Sequence, residues 1–325
     1  MTSHHRPGGG FQNPWSNGRA PGFRDFLKWV LVERPLHRRP PDPPRTVFAR
    51  ATPSFPAPRA PAEQVVLTWV GHSTFLLQIG GLNVLTDPMW GERASPVSFA
   101  GPRRWMAPGI AFAALPPIDV VLQSHNHYDH LDTASVRRLA VAHPTAQWLA
   151  PLGVGALLRR AGAARVAELD WWDEQSVGGV RFVCTPARHF SSRQLFDRNA
   201  TLWCGWAALA PGRRALFGGD SAYHPAFGEI GQRCGPFDVA LLPIGAYEPR
   251  WFMGFVHMNP EEAVQALVDL DPAGRTVMVP MHWGTFKLTD EPMDEPPARV
   301  ARAWQATGRP GDRLWRLAHG ETRAL

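Results

Sequence analysis

The segment QSHNHYDHLD, residues 123–132, carries three histidines and two aspartates in ten positions, directly after an apolar run. Neutral imidazole and carboxylate are ligands for zinc and related divalent ions. His125 and His127 are separated by one residue. On an extended strand end both side chains point to one side, where a single ion can take both. Asp129 and His130 follow in a turn that can redirect ligands to a second ion. No cysteine lies in the segment, which argues against a structural thiolate site. The competing reading is a polar surface loop rich in histidine.

A binuclear site needs more ligands than these four, and the chain supplies them at the ends of other apolar runs. His189 follows RFVCTPAR, and His282 follows TVMVPM. Asp220 follows RALFGG, where two glycines permit a close backbone approach. Sites in α/β folds gather at the C-terminal ends of strands. One histidine after a strand would be structural; seven ligand-type residues in this arrangement point to a metal centre.

The elements that must position them alternate along the chain. Strand-like runs are VVLTWV, STFLLQI, LNVLTD, DVVLQS, AQWLAP, VRFVCTP, LWCGWAAL, RALFGG, DVALLPI and TVMVPM. Helix-like runs are TASVRRLAVAH, GVGALLRRAG, PEEAVQALVDL and PARVARAWQATG. IGGLN reads as a hairpin loop. Strands paired early and then interleaved with helices predict mixed sheets covered by helices, a layered α/β domain.

That domain is expected over residues 63–325, preceded by an arm over 1–62. Residues 1–20, rich in Gly, Pro, Asn and Ser, read as disordered. In PGFRDFLKWVLVERP the apolar side is Phe23, Phe26, Leu27, Val30 and Leu31, and Pro35 is expected to stop the helix. Such a helix over 22–34 either docks on the domain or lies in a membrane interface, with Trp29 and the following HRR favouring the interface. Residues 40–61 hold eight prolines and read as an extended tether.

Composition narrows the class. The 325 residues are 44% hydrophobic, enough for a sizeable core, with a net charge of +6 carried almost wholly by arginine. The arginines are scattered without a basic stripe, so no nucleic-acid partner is expected. Three widely spaced cysteines fit a reducing compartment. No apolar signal-type core or run of about 18 apolar residues occurs. The expectation is a cytoplasmic protein, with residues 22–34 available for peripheral contact on the inner membrane face; a homodimer is left open.

HNHYDH fits the pattern H-x-H-x-D-H, and with His189, Asp220 and His282 it resembles the metallo-β-lactamase superfamily of binuclear hydrolases. The resemblance implies a four-layer αββα sandwich with the metals at one edge and two zinc ions per chain, other divalent metals being open. It implies that His125, His127 and His189 hold one metal, that Asp129, His130 and His282 hold the other, and that Asp220 bridges. A narrower resemblance runs from about Trp69 to about Phe286. It is carried by WVGHSTFLLQIGGLNVLTDP, ASPVSFAGPRRW, LPPIDVVLQSHNHYDHLD, GDSAYHPAFGEIGQRCGPFDVALLPIGAYEPRWFM and MHWGTF. These segments look like the N-acylphosphatidylethanolamine-hydrolysing phospholipase D family and its bacterial relatives. That implies a phosphodiesterase releasing phosphatidic acid and an N-acylethanolamine from a phospholipid. The alternative is a soluble metallohydrolase of a small lactone or phosphodiester; a nuclease or a non-catalytic metal-binding scaffold ranks lower.

Asp220, Asp129 and His257 are the expected catalytic residues. His72, Tyr247, Arg250 and Trp251 are expected to contact substrate, an arginine there suiting a phosphate, although the loop around Tyr247 could equally be held by these side chains. Trp105 and Trp283 could wall a channel with Trp251. Asp87 and Ser124 are expected behind the ligands, Asp87 as acceptor for a ligand imidazole or as a turn cap. His4, His5, His37, His143 and His319 read as surface residues.

Overall fold

The apolar runs build two mixed sheets, and their strand order explains how ligand-type residues far apart in sequence meet. The computed structural model describes residues 3–15, 21–36, 39–194 and 196–325. Strands β1 (Val65–Gly71), β2 (Thr74–Ile79), β3 (Leu82–Thr86), β4 (Val120–Leu122), β5 (Gln147–Pro151) and β6 (Arg165–Leu169) belong to the first sheet. Strands β7 (Glu174–Val177), β8 (Val180–Thr185), β9 (Gly205–Ala210), β10 (Arg213–Phe217), β11 (Val239–Pro243) and β12 (Val277–Met281) form the second, and β13 (Thr322–Ala324) returns to the first. The orders are β13-β1-β2-β3-β4-β5-β6 and β12-β11-β10-β9-β8-β7. Each sheet is antiparallel in one half and parallel in the other. Gly80 and Gly81, both at positive φ, close the β2–β3 hairpin that IGGLN predicts.

Alternation along the strands sorts side chains between layers. Leu67, Trp69 and Phe75 of the first sheet meet Phe182, Trp206 and Phe217 of the second in one core. On the outer face of the first sheet, Val121 and Trp148 lie under helices α3 (Thr133–Ala142) and α4 (Gly155–Arg160). Helix α5 (Ala226–Cys234) lies between β10 and β11, the short turn α6 (Arg250–Met253) and α7 (Pro260–Leu270) lie between β11 and β12, and α8 (Pro296–Ala306) follows β12. Of these, α5, α7 and α8 cover its outer face over Val183, Leu216 and Leu242. The result is the four-layer αββα sandwich.

All ten strand runs and four helix runs named from the sequence form those elements. Strands β6, β7 and β13 and helices α5 and α6 are additional. β7 reads EQSV and is mostly exposed, so no apolar alternation marks it; α5 carries two glycines, which weaken its helical signal.

The arm departs from expectation in two ways. Residues 3–15 are ordered on the domain, because Phe11 is buried in the central core and Trp15 packs against it. The expectation for residues 1, 2 and 16–20 lies outside the described residues. The second departure is that Pro35 does not stop the helix. Helix α1 (Phe23–Lys28) continues through a π-helical turn, Trp29–Glu33, into α2 (Arg34–Leu36). The wide turn makes room for a ring that would clash in regular α geometry. The helix is anchored by Trp29, packed with Phe252, Met253 and Val256, while Phe23 and Leu31, expected on its apolar side, are 67% and 66% exposed. Among the described residues no helix is long and apolar enough to cross a membrane. The tether contains a single 3-10 turn, Arg45–Val47, before β1.

Candidate metal centre

The seven ligand-type residues converge at one edge of the sandwich, where β4, β8, β10 and β12 end. His125 Nε2 lies 2.8 Å from His127 Nδ1, and His189 Nε2 lies 3.2 Å from the same atom. Asp129 Oδ2 is 3.3 Å from His130 Nε2 and 3.4 Å from His282 Nε2. Between the two groups stands Asp220, whose Oδ2 is 3.1 Å from both His130 Nε2 and His282 Nε2 and 3.7 Å from His189 Nε2. His125, His127 and His189 thus form one group and Asp129, His130 and His282 another, which His72 joins, while Asp220 also clusters with His189 and His257.

Backbone strain accompanies this convergence. His72, Asp87, Ala246 and His282 all adopt positive φ without being glycine, a conformation that persists only where surroundings impose it. Gly219 does the same at less cost; a Cβ there would sit 2.4 Å from the Cys204 carbonyl oxygen.

The outer nitrogens of His125, His130 and His189 are already bonded. His130 Nδ1 donates to Asp87 Oδ2 (2.7 Å), and His189 Nδ1 donates to the Val256 carbonyl (2.8 Å). Ser124 Oγ donates to Asp87 and stands 2.8 Å from His125 Nδ1. Asp87 is thus an acceptor behind the ligands and is fully buried. Asp220 Oδ1 has no hydrogen-bond partner among the described residues, and His130 Nε2 and His282 Nε2, although 3.1 Å from Asp220 Oδ2, are not aligned to bond it. Buried polar atoms left unpaired are costly, and a divalent ion among them removes the deficit. Nitrogen and oxygen donors without thiolate, oriented from behind, fit such an ion.

Electrostatics agree with ligation. Burial, reinforced by neighbouring imidazoles, holds His125 well below its ordinary value and His127 at about 3, which leaves the neutral form that binds metal. Burial also opposes charge on His130, but Asp220 and Asp129 outweigh it and hold that imidazole well above its ordinary value. Against burial, Asp220 and Asp129 likewise raise His282 to about 9; the two carboxylates thus draw positive charge to this point, which a divalent ion would supply in place of the protons.

A cleft of about 270 Å³ opens onto this edge. His127, Asp129, Asp220 and His257 form its polar floor, and Phe190, Phe252, Met253, Val256 and Leu288 form an apolar wall. A larger cleft of about 540 Å³ lies remote from the ligands, among Arg213, Arg214, Arg275 and Arg313, and holds no ligand cluster. Chemistry places the site at the smaller one.

The expected substrate contacts are corrected by this geometry. His72 is buried and donates from Nε2 to Asp129 Oδ2 (2.9 Å), behind the cleft rather than in its wall. Tyr247 is fully buried with its hydroxyl on Glu295 (2.6 Å). Arg250 is held by both carboxylate oxygens of Glu262, at 2.7 and 2.8 Å. Trp251 sits on the outside, donating to Glu33 of the arm helix. These residues fix the loop rather than face substrate. Trp105 and Trp283 pack with Phe48 instead of walling a channel. His257 does line the cleft, with Nδ1 unpaired and 4.0 Å from Asp220 Oδ2. Phe190, Phe252 and Met253 were missed as wall residues, although FM lies within EPRWFM and Phe190 adjoins His189. Of the histidines expected at the surface, His319 is buried against Trp69, and His37 lies outside the described residues.

Residues 82–283 match the beta-lactamase superfamily domain. An uncharacterised protein of Mycobacterium tuberculosis is 47% identical over 280 residues, which cover 86% of this chain and 73% of that protein. The N-acyl-phosphatidylethanolamine-hydrolyzing phospholipase D 1 of Caenorhabditis elegans is 37% identical over 294 residues, 86% of this chain and 81% of its own length. Among solved structures, the metallo hydrolase Igni18 of Ignicoccus hospitalis is similar in fold, with a TM-score of 0.60 at 23% identity over 81% of this chain and 98% of that one. The chain belongs to the metallo-β-lactamase superfamily, as a metal-dependent hydrolase.

Proposed function

We propose that the chain is a binuclear phosphodiesterase of phospholipase D type, acting on N-acylphosphatidylethanolamine-like lipids. The observation that carries this reading is the apolar wall of the cleft. It runs from the ligand floor through Phe252, Met253 and Val256 to Trp29 of the arm helix. On that helix Phe23, Leu31, Val32 and Leu36 are exposed. A soluble diester needs no such surface, whereas acyl chains need a continuous apolar path and a helix at the membrane interface supplies its entrance. The relative in Caenorhabditis elegans carries the same activity in its name.

In this account His125, His127 and His189 would hold one zinc ion, Asp129, His130 and His282 the other, and Asp220 both. When bound, the ions supply the Lewis acidity that makes water a nucleophile near neutral pH and that offsets charge on the ester oxygens. Asp87 fixes the tautomer of His130 and, through Ser124, the ring of His125. Asp220, held ionised against burial by the facing His130 and His282, would accept a hydrogen bond from the attacking water and orient it. His257, held neutral by burial, is placed to hydrogen-bond the leaving oxygen. The apolar wall keeps bulk water from the acyl side of the cleft.

A substrate comparison tests the reading. The zinc-loaded chain should show a higher kcat/KM on the N-acylated phospholipid in mixed micelles than on a water-soluble diester or a small lactone. The reverse order would place it among soluble metallohydrolases.

A further inference from the structure

The N-terminal segment meets the domain through a second cluster of ligand-type side chains, far in sequence from the catalytic loop. His4 Nε2 lies 2.6 Å from Asp170 Oδ1, and His5 Nε2 lies 2.6 Å from Asp170 Oδ2. Adjacent residues of an extended chain point to opposite faces, yet these two converge on one carboxylate. A tight hairpin brings this about. His5 pairs with Phe11, Arg6 N donates to the Gly10 carbonyl (3.0 Å) and Gln12 N donates to the His4 carbonyl (2.8 Å). Gly8, Gly9 and Gly10 at positive φ make that turn. His4 is further fixed by stacking on Trp171, ring centroids 4.3 Å apart.

Each imidazole can donate its Nε2–H to the shared carboxylate, and the same three donor atoms can instead converge on one divalent ion. The three donor atoms lie within 4.8 Å of one another. Zn–N and Zn–O bonds of about 2.0–2.1 Å ask tetrahedral donors to stand roughly 3.3 Å apart, a side-chain rotation away from the present 2.6 Å. Side-chain exposures of 20%, 46% and 27% leave room for water to complete the shell. Two imidazoles and one carboxylate suit zinc and its late first-row neighbours.

We propose that His4, His5 and Asp170 form a peripheral divalent-metal site that staples residues 3–15 to the domain. The same segment reaches the catalytic centre. Asn13 Nδ2 donates to the backbone carbonyl of His189 (2.8 Å), and Phe11 N donates to the Asn199 carbonyl (2.8 Å). An ion at the staple therefore steadies backbone that carries a catalytic ligand. The proposal does not depend on which substrate the catalytic centre takes.

The test counts zinc in the full chain, by mass spectrometry after zinc loading and passage over a weak chelating resin. Wild type should hold one equivalent more than either His5→Ala or Asp170→Asn. The difference is read and not the total, so the result stands however many ions the catalytic centre keeps. In parallel, hydrogen exchange of the peptide spanning residues 3–15 should slow by about tenfold when zinc is restored to wild type. The two variants, folded by their circular dichroism, should show no zinc effect on that peptide beyond the one arising from the catalytic centre in both. Equal zinc content in wild type and variants, or equal zinc dependence of exchange, would overturn the proposal.

Discussion

Asp87 and His130 are joined by a 2.7 Å hydrogen bond from His130 Nδ1, with both side chains fully buried. Asp87 also accepts from Ser124, whose hydroxyl oxygen stands against His125. One carboxylate therefore orients an imidazole from each of the two ligand groups. Burial opposes its ionisation, and the His130 bond works the other way. Replacing it by Asn keeps the volume and loses the charge that fixes the tautomers. Asp87→Asn should weaken metal binding by about 10- to 100-fold, as outer partners of metal-bound histidine do. Competition with a fluorescent chelator measures this; unchanged affinity would return Asp87 to the role of a turn cap.

Tyr247 separates a structural role from a substrate role. Its ring is buried and its hydroxyl meets Glu295 away from the cleft. Tyr247→Phe should cost about 1 kcal/mol of stability for one lost hydrogen bond, measured by urea unfolding, with KM unchanged. A raised KM at unchanged stability would put the hydroxyl in the cleft after all.

Trp29 connects the arm to the cleft wall through Phe252. Trp29→Ala should undock the helix and raise KM for micellar lipid, because removing a buried indole costs about 3–5 kcal/mol of local packing. Turnover of a soluble diester should change little, since the ligands do not touch Trp29. Equal losses on both substrates would indicate general unfolding and not a lost lipid path.

The exposed face of the same helix is a separate matter. Phe23 and Leu31 contribute apolar area that burial in a membrane interface would reward at about 25 cal/mol per Å². Phe23→Ser with Leu31→Ser should reduce co-sedimentation with phospholipid vesicles by about tenfold or more. Unchanged sedimentation would exclude this face as the membrane contact.

The convergence of the seven side chains was legible because each follows an apolar strand, so its position and the fold that gathers it are written in the same stretch. His189, Asp220 and His282 are examples: spacing alone placed them at strand ends. The cleft wall was not legible, because Phe252 rather than Trp251 faces inward only once the short turn Arg250–Met253 is set against Glu262 and the arm helix. Helical periodicity put Phe23 and Leu31 on one apolar side, for docking or for a membrane interface, but the site that receives the helix accepts Trp29. The ordering of residues 3–15 was hidden too, since its anchors Phe11 and Trp15 are isolated among glycine, proline and asparagine and carry no period.

The most direct measurement presents zinc-loaded wild type and Asp220→Asn with N-acylphosphatidylethanolamine in mixed micelles, and looks for phosphatidic acid by mass spectrometry. Asp220 lies between the two ligand groups, 3.1 Å from His130 and His282, so its loss should remove most of the turnover. The account predicts phosphatidic acid and free N-acylethanolamine from wild type and almost none from the variant. No product from wild type, or equal product from the variant with metal bound, would contradict it.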